Sequence, residues 1–201
     1  MCAVDHATDG PTAGPGGDAG ILRVDVLDTH ELGADVLAEL RIMLEQAFDG
    51  RLDDHDWAHT MGGTHAVARL GADVVGHAAV VPRRMRIARQ AVHVGYVEGV
   101  AVTAAHRRRR IGQRVMAPLH DIIRHEYDLG CLSAGDDVAH FYRALGWWQW
   151  KGATWVDTPQ GTLRTADEDG GIYAHPGRLK LDLNALRFED LTSDWRPGDV
   201  W

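Results

Sequence analysis

Residues 94–119, V-G-Y-V-E-G-V-A-V-T-A-A-H-R-R-R-R-I-G-Q-R-V-M-A-P-L, constrain the fold of this chain more than any other stretch. An apolar, β-branched run with one acid, Glu98, in its middle reads as a buried strand. The basic loop Arg107 to Arg110 then gives way at Ile111 and Gly112 to a helical pattern. A strand feeding such a loop and a helix start builds an anion site, because the first-turn N–H groups lack intrahelical partners and the helix dipole favours negative charge. Three or four guanidinium groups match a polyphosphate in charge and geometry. The loop is no Walker loop, since no G-K-[ST] follows, and it has no G-x-G-x-x-G. Seen in isolation the arginines would be a solvated loop and Glu98 an outward-facing strand residue. Placed together, they suggest a phosphate-bearing ligand lying along a strand whose carboxylate acts as a general base.

The surrounding pattern sets the architecture. Ile21–Leu27 alternates like a strand, and Asp28 or Thr29 is placed to cap a helix to about Phe48, with Leu32, Val36, Leu40 and Leu44 on one face. A short helix is expected over Asp53–Thr60. Strands follow at Ala66–Leu70, Val74–Ile87 and Ala91–Thr103, joined by turns at 71–73 and 89–90. A helix from Ile111 to Leu129 contains Pro118, which should kink it. Cys131–Ser133 reads as a strand, and Asp136–Leu145 as a helix ended by Gly146. Beyond Trp147 the chain is strand-like and loop-rich. Residues 1–20, rich in Gly, Ala, Pro and Asp, read as a disordered tail before a single domain over 21–201. The sum is a mixed α/β chain with a mostly antiparallel central sheet, splayed near Glu98, and helices on both faces.

Composition narrows the function. A length of 201 residues suits one core, and a net charge of −8 argues against a general nucleic-acid binder while suiting a cationic substrate. Cys2 and Cys131 imply no disulfide framework and fit a cytoplasmic protein. No apolar run approaches a membrane span, and residues 1–20 lack the basic-then-apolar order of a secretion signal.

Other residues compete for a role. His55, His59 and His65 have the H-x-x-x-H-x-x-G-x-x-H spacing of a metzincin zinc site, but Asp56 stands where the catalytic Glu would be. Asp is one methylene short for that mechanism, so a zinc hydrolase remains the weaker alternative. Tyr142 is core packing or, beside a bound thioester, a proton donor to a leaving thiolate. Ser133 ends a strand, where its hydroxyl can face a crevice. The terminal octapeptide D-W-R-P-G-D-V-W is a frayed tail, or it is anchored by the indoles of Trp195 and Trp201 so that the terminal carboxylate meets an amine.

The V-E-G-V-A-V strand followed by R-R-R-R-I-G resembles motif A of the GCN5-related N-acetyltransferases, whose loop backbone holds the pyrophosphate of acetyl-CoA. The segments D-W-A-H-T-M-G-G-T-H (56–65), H-A-A-V-V-P-R-R (77–84), G-Y-V-E-G-V-A-V (95–102), Y-D-L-G-C-L-S (127–133), L-G-W-W-Q-W (145–150) and D-W-R-P-G-D-V-W (194–201) are similar to those of the aminoglycoside 2′-N-acetyltransferases. The resemblance covers residues 21–201.

The resemblance implies acetyl transfer from acetyl-CoA to an aminoglycoside, with no metal. The backbone of Val100, Ala101 and Val102 would pair with the pantetheine arm, and Arg107, Arg108, Arg109, Arg110, Ile111, Gly112 and Gln113 would hold the pyrophosphate. Glu98 would be the base, through water, and Tyr142 the acid. Asp56, Gly99, Ser133, Glu168, Asp199 and the Trp201 carboxylate would bind the sugar amines, and the Val100 N–H would meet the oxyanion. Arg110 departs from the pattern at a position usually held by glycine, so the loop must avoid positive φ there or accept strain. Arg51 and Glu168 depart at substrate-facing positions. A homodimer is expected from the edge strands. Remaining alternatives are an acetyltransferase for another polyamine or for a cell-wall or thiol-metabolism amine, and a non-catalytic module that sequesters CoA or drug.

Overall fold

The computed structural model describes residues 2–3, 20–179 and 182–201. The tail expected over 1–20 lies outside the described residues except at Cys2, Ala3 and Gly20. In chain order the strands are β1 (Cys2–Ala3), β2 (Leu22–Asp28), β3 (Thr64–Leu70), β4 (Asp73–Ile87), β5 (Gln90–Val102), β6 (Leu129–Ser133), β7 (Trp148–Gln149), β8 (Thr154–Thr158), β9 (Gly161–Arg164), β10 (Ile172–Pro176) and β11 (Leu191–Asp194). The helices are α1 (Ala34–Ala47), α2 (Asp54–His59), α3 (Ile111–Glu126), α4 (Ala139–Ala144) and α5 (Leu183–Leu186).

All strands join one sheet. Its main path is β7-β10-β6-β5-β4-β11-β8-β9; β3 also pairs with β4, β2 with β3, and β1 with β5. Among the described residues only β1–β5, β5–β6 and β8–β11 run parallel. Period-two alternation assigns the faces. Ala66, Ala68, Val100 and Val102 pack under α3 and α4, while Val67 and Ala101 point to the other face, under α1. A further core of Tyr96, Cys131, Trp150, Leu191 and Trp201 is closed by the C-terminal half of the chain.

Two features of β5 position the site. It pairs with β6 only over Val94–Tyr96, so the strands part before Glu98. Its register against β4 slips between His77 and Ala79, with Gly99 at φ 58. That is a bulge, which bends the strand and takes one peptide out of the ladder.

Local boundaries depart from the sequence expectation for traceable reasons. The first helix does not begin at Asp28 or Thr29. Asp28 and Glu31 close a single 3₁₀ turn, the Thr29 hydroxyl is engaged by Gly62 and Gly63, and α1 starts after Gly33. Helix α3 runs through Pro118 but stops at Glu126. Tyr127 turns extended, and Asp128 joins His93 through both N–H to O and side-chain bonds, drawing the chain into β6 two residues earlier than expected. Residues 136–138 form turns onto Gly135 and Asp136, so α4 starts only at Ala139.

Candidate active site

The parting of β5 and β6 leaves the backbone at Val100 and Ala101 without β6 as a neighbour. Cys2 and Ala3 add there as a parallel strand, opposite Val100 and Ala101. An extended ligand fits this edge, because a two-residue peptide already pairs with it. Next to it a cleft is lined by Val102, His106, Arg107, Arg108, Arg110 and Gly112 at the start of α3. Gln113 and Phe141 also line it, whereas Arg109 does not. Arg107 is turned back onto protein carbonyls, Nε donating to Val102 O at 3.3 Å and Nη2 to Ala47 O at 3.5 Å. Arg110 adopts φ 60, ψ 18, and Arg108 also has φ 60. The loop therefore keeps the left-handed bend without glycine, at a cost of about 1–2 kcal/mol per residue. These groups fit a diphosphate and a peptide-like arm.

On the other side of Glu98 lies a cleft of about 280 Å³ lined by Arg51, Asp56, His59, Glu98, Ser133 and Asp137, with Arg196, Asp199 and Trp201. Its sources are scattered along the chain. Asp56 sits in the first turn of α2, where it shares a capping box with Asp53. Ser133 ends β6, and Glu98 is on the bulge of β5. Glu98 is 7% exposed, and its Oε1 accepts from Arg196 Nη1 at 2.6 Å. Glu168 is half-buried; burial raises its pKa first, and Asp199 and Asp167 push the same way. Asp199 Oδ1 accepts from the Trp201 N–H at 3.0 Å. Burial lowers the pKa of His59, as does the Arg196 charge, against the bond that His59 Nε2 donates to Pro197 O.

The tail is anchored, but not by two indoles. Trp201 is 3% exposed and donates Nε1–H to Thr165 Oγ1 at 2.9 Å, whereas Trp195 is 50% exposed. Two arginines replace the second indole. Buried Arg83 donates to Asp194 Oδ1 and Val200 O, both at 2.9 Å, and to Ser193 Oγ at 2.5 Å. Arg196 donates to Asp199 O at 2.9 Å and Trp201 O at 3.0 Å. Both guanidinium groups lie on the ring of Tyr96. Such stacking favours arginine over lysine.

Of the residues singled out in the sequence, Asp56, Glu98, Ser133, Asp199 and Trp201 share one cleft. Gly99 adjoins Glu98, and Glu168 lies within electrostatic reach of Asp199. Tyr142 is fully buried in the core, edge-on to Trp147 and beside Tyr173. The zinc alternative fails on geometry. His65 is buried against His77 and Thr29, His59 turns to Pro197, and among the described residues no three metal-ligating side chains converge. Sequence reasoning gave no role to Arg83, Arg196 or His77. The signal for the first two was an arginine beside a proline in both P-R-R and W-R-P, too common to single out.

Residues 33–149 match the acetyltransferase (GNAT) domain family. The chain belongs to the GNAT acetyltransferases. This GNAT chain is also 36% identical over 176 residues to the aminoglycoside 2′-N-acetyltransferase of Mycolicibacterium fortuitum, which covers 88% of this chain and 90% of that protein. Among solved structures it resembles ElaA of Escherichia coli (TM-score 0.53, 16% identity, 77% of this chain and 99% of that one). It is similar also to an acyl-CoA N-acyltransferase of Pseudomonas aeruginosa (TM-score 0.54, 12% identity, 77% and 99%). Against Eis1 of Mycobacterium abscessus the TM-score is 0.52 at 16% identity, over 66% of this chain and 32% of that one. At these identities the structures speak for the fold alone. No helix among the described residues is long and apolar enough to cross a membrane.

Proposed function

We propose that this protein transfers an acetyl group from acetyl-CoA to the 2′-amino group of aminoglycosides. The observation that carries the reading is the gathering of Asp56, Glu98, Asp137 and Asp199 in one cleft beside the stretch of β5 that has parted from β6. A polycationic sugar is drawn to such a cleft, and an acidic lining raises its association rate. The relative from Mycolicibacterium fortuitum supports the same substrate class. Arg51 and Arg196 line the cleft among the acids, so they restrict which ammonium groups fit.

Acetyl-CoA supplies a thioester whose carbonyl carbon is open to attack. Val100, Ala101 and Val102 hold its peptide-like arm, and the α3 N-terminus with Arg108, Arg110, Gly112 and Gln113 holds its diphosphate, Arg107 and Arg109 contributing charge. Ser133, Gly99, Glu168, Asp199 and the Trp201 carboxylate orient the sugar. An ammonium cannot attack, so Glu98 takes the proton of the incoming amine through a water. The new C–N bond forms as the C–S bond breaks. Val100 N–H faces the negative charge that develops on the acyl oxygen. Tyr142 gives its proton to the departing sulfur, the second proton on the attacking nitrogen restores the Tyr142 hydroxyl, and Glu98 passes the first to solvent, so one proton is released per amide formed. Nothing in this sequence of steps calls on a metal.

The same reading places the enzyme in the cytoplasm and pairs two copies through exposed edge strands such as β9, a pairing that sedimentation would detect. The test of function is release of CoA thiol with tobramycin, which has a 2′-amine, and with kanamycin A, which has a 2′-hydroxyl. Turnover with tobramycin alone is expected; no turnover with any 2′-amino aminoglycoside removes the proposal.

A further inference from the structure

The bulge of β5 carries a second, buried device. His77 of β4 faces Ala101, and Ala79 faces Glu98, so β5 spends three steps where β4 spends two. The extra residue is absorbed at Gly99, where a Cβ would stand 2.9 Å from Thr60 Cγ2 and 3.2 Å from His77 Nδ1. A carbonyl removed from the ladder and buried needs a donor. His77 Nδ1 supplies it, 2.8 Å from Gly99 O.

That one bond fixes the protons of a whole chain. A carbonyl only accepts, so His77 carries its hydrogen on Nδ1 and presents a bare Nε2. His65 Nδ1, 2.9 Å away, must then donate to it. His65 Nε2 is left to accept from the Thr29 hydroxyl at 2.8 Å. Thr29 Oγ1 in turn accepts the N–H groups of Gly62 and Gly63 at 2.9 and 3.2 Å. Gly63 O, 3.0 Å from the same hydroxyl, also takes the Thr29 N–H at 2.9 Å, so the single hydroxyl hydrogen can go to His65 and every group is satisfied with both rings neutral. Burial enforces that state, pushing His77 down to about 3 and His65 to about 4.

The consequence appears on the far side of the peptide. In a trans peptide the C=O of Gly99 and the N–H of Val100 point in opposite directions, and the described residues contain no cis bond. With Gly99 O tied to a ring on β4, Val100 N–H points away from β4, toward the edge that β6 leaves beyond Tyr96, where Cys2 and Ala3 pair and which the acyl-bearing arm takes over on binding. We infer that His65 and His77 are positioning residues that aim the Val100 N–H at the reacting acyl oxygen, by holding the Gly99–Val100 peptide in one orientation from its buried side. This inference rests on the acetyltransferase reading of the cleft.

Two measurements test it. In ¹⁵N NMR of the full-length wild type, both rings are expected as Nδ1–H tautomers that do not titrate between about pH 5 and 8. A protonated Nε2 on His77 overturns the relay, with no assay of activity needed. In kinetics, His77→Asn places an amide donor near Nδ1, and His77→Gln places it near Nε2. The first is expected to keep kcat within about tenfold and the second to lose about 100-fold, with KM for both substrates moving less than about threefold. Equal kcat in the two variants, or losses that follow thermal stability, overturns the positioning role. A wild type that acetylates no amine would instead defeat the reading of the cleft, and the tautomers would still decide the relay.

Discussion

Glu98 and Arg110 show how much one position can hold. Glu98 is a buried acid in an apolar strand with an arginine on its Oε1, which gives it a fixed place at the parting of β5 and β6. Glu98→Gln is expected to lower kcat by about 100-fold or more, with the largest loss at low pH, where the amine arrives protonated. Steady-state rates across pH check this; an unchanged profile removes the base role. Arg110 holds φ 60 with a full side chain. Arg110→Gly should relieve that backbone and raise stability by about 1 kcal/mol in thermal melts, while removing one cation from the diphosphate cleft and weakening CoA in calorimetry by a few fold. At this scale the sequence was informative wherever a residue broke the pattern around it, as an acid does in V-E-G-V-A-V. It was silent on His77, since a histidine at the head of H-A-A-V shows its partner only once β3 and β5 flank it.

The terminal octapeptide is the element whose role changed most. Its sequence suggested anchoring by two tryptophans, but Trp195 is exposed and Arg83, more than a hundred residues earlier, carries the attachment. Arg83→Ala removes the donor to Asp194 Oδ1 and Ser193 Oγ and leaves the Val200 carbonyl only the Ser193 hydroxyl at 3.2 Å. It is expected to cost about 3 kcal/mol, somewhat less than a fully buried pair because Asp194 is 43% exposed on its side chain. Aminoglycoside binding should fall with it, and so should binding after deletion of Trp201. Denaturant melts and calorimetry check both; a deletion that binds normally excludes the terminal carboxylate from the site. Strands and helices of clear period, β2 to β5 and α3, were legible from residue patterns. The splitting of the first helix was not, because it depends on Thr29 meeting Gly62 and Gly63, which follow α1 and α2 in the chain.

The whole molecule buries several histidines as neutral rings. His65 and His120 are pushed to about 4 and His77 to about 3, each chiefly by burial. Unfolded histidines bind protons near pH 6.5, so these three contribute full stability above that value and lose it as pH falls toward their folded pKa values. Each ring adds a slope of about 1.4 kcal/mol per pH unit in that window. Melts from pH 7 down to about 4 should show a steep fall, and a flat curve would mean that the rings are not buried as described. The sheet order and the two clefts also belong to this scale. The family resemblance implied the fold, but the cleft joins α2, β5, β6 and the C-terminus, and no local pattern places those four together. The most direct measurement is NMR of the product formed from tobramycin and acetyl-CoA. An acetyl group on the 2′-nitrogen is the expected result, and a product acetylated elsewhere, or none, would contradict the proposed function.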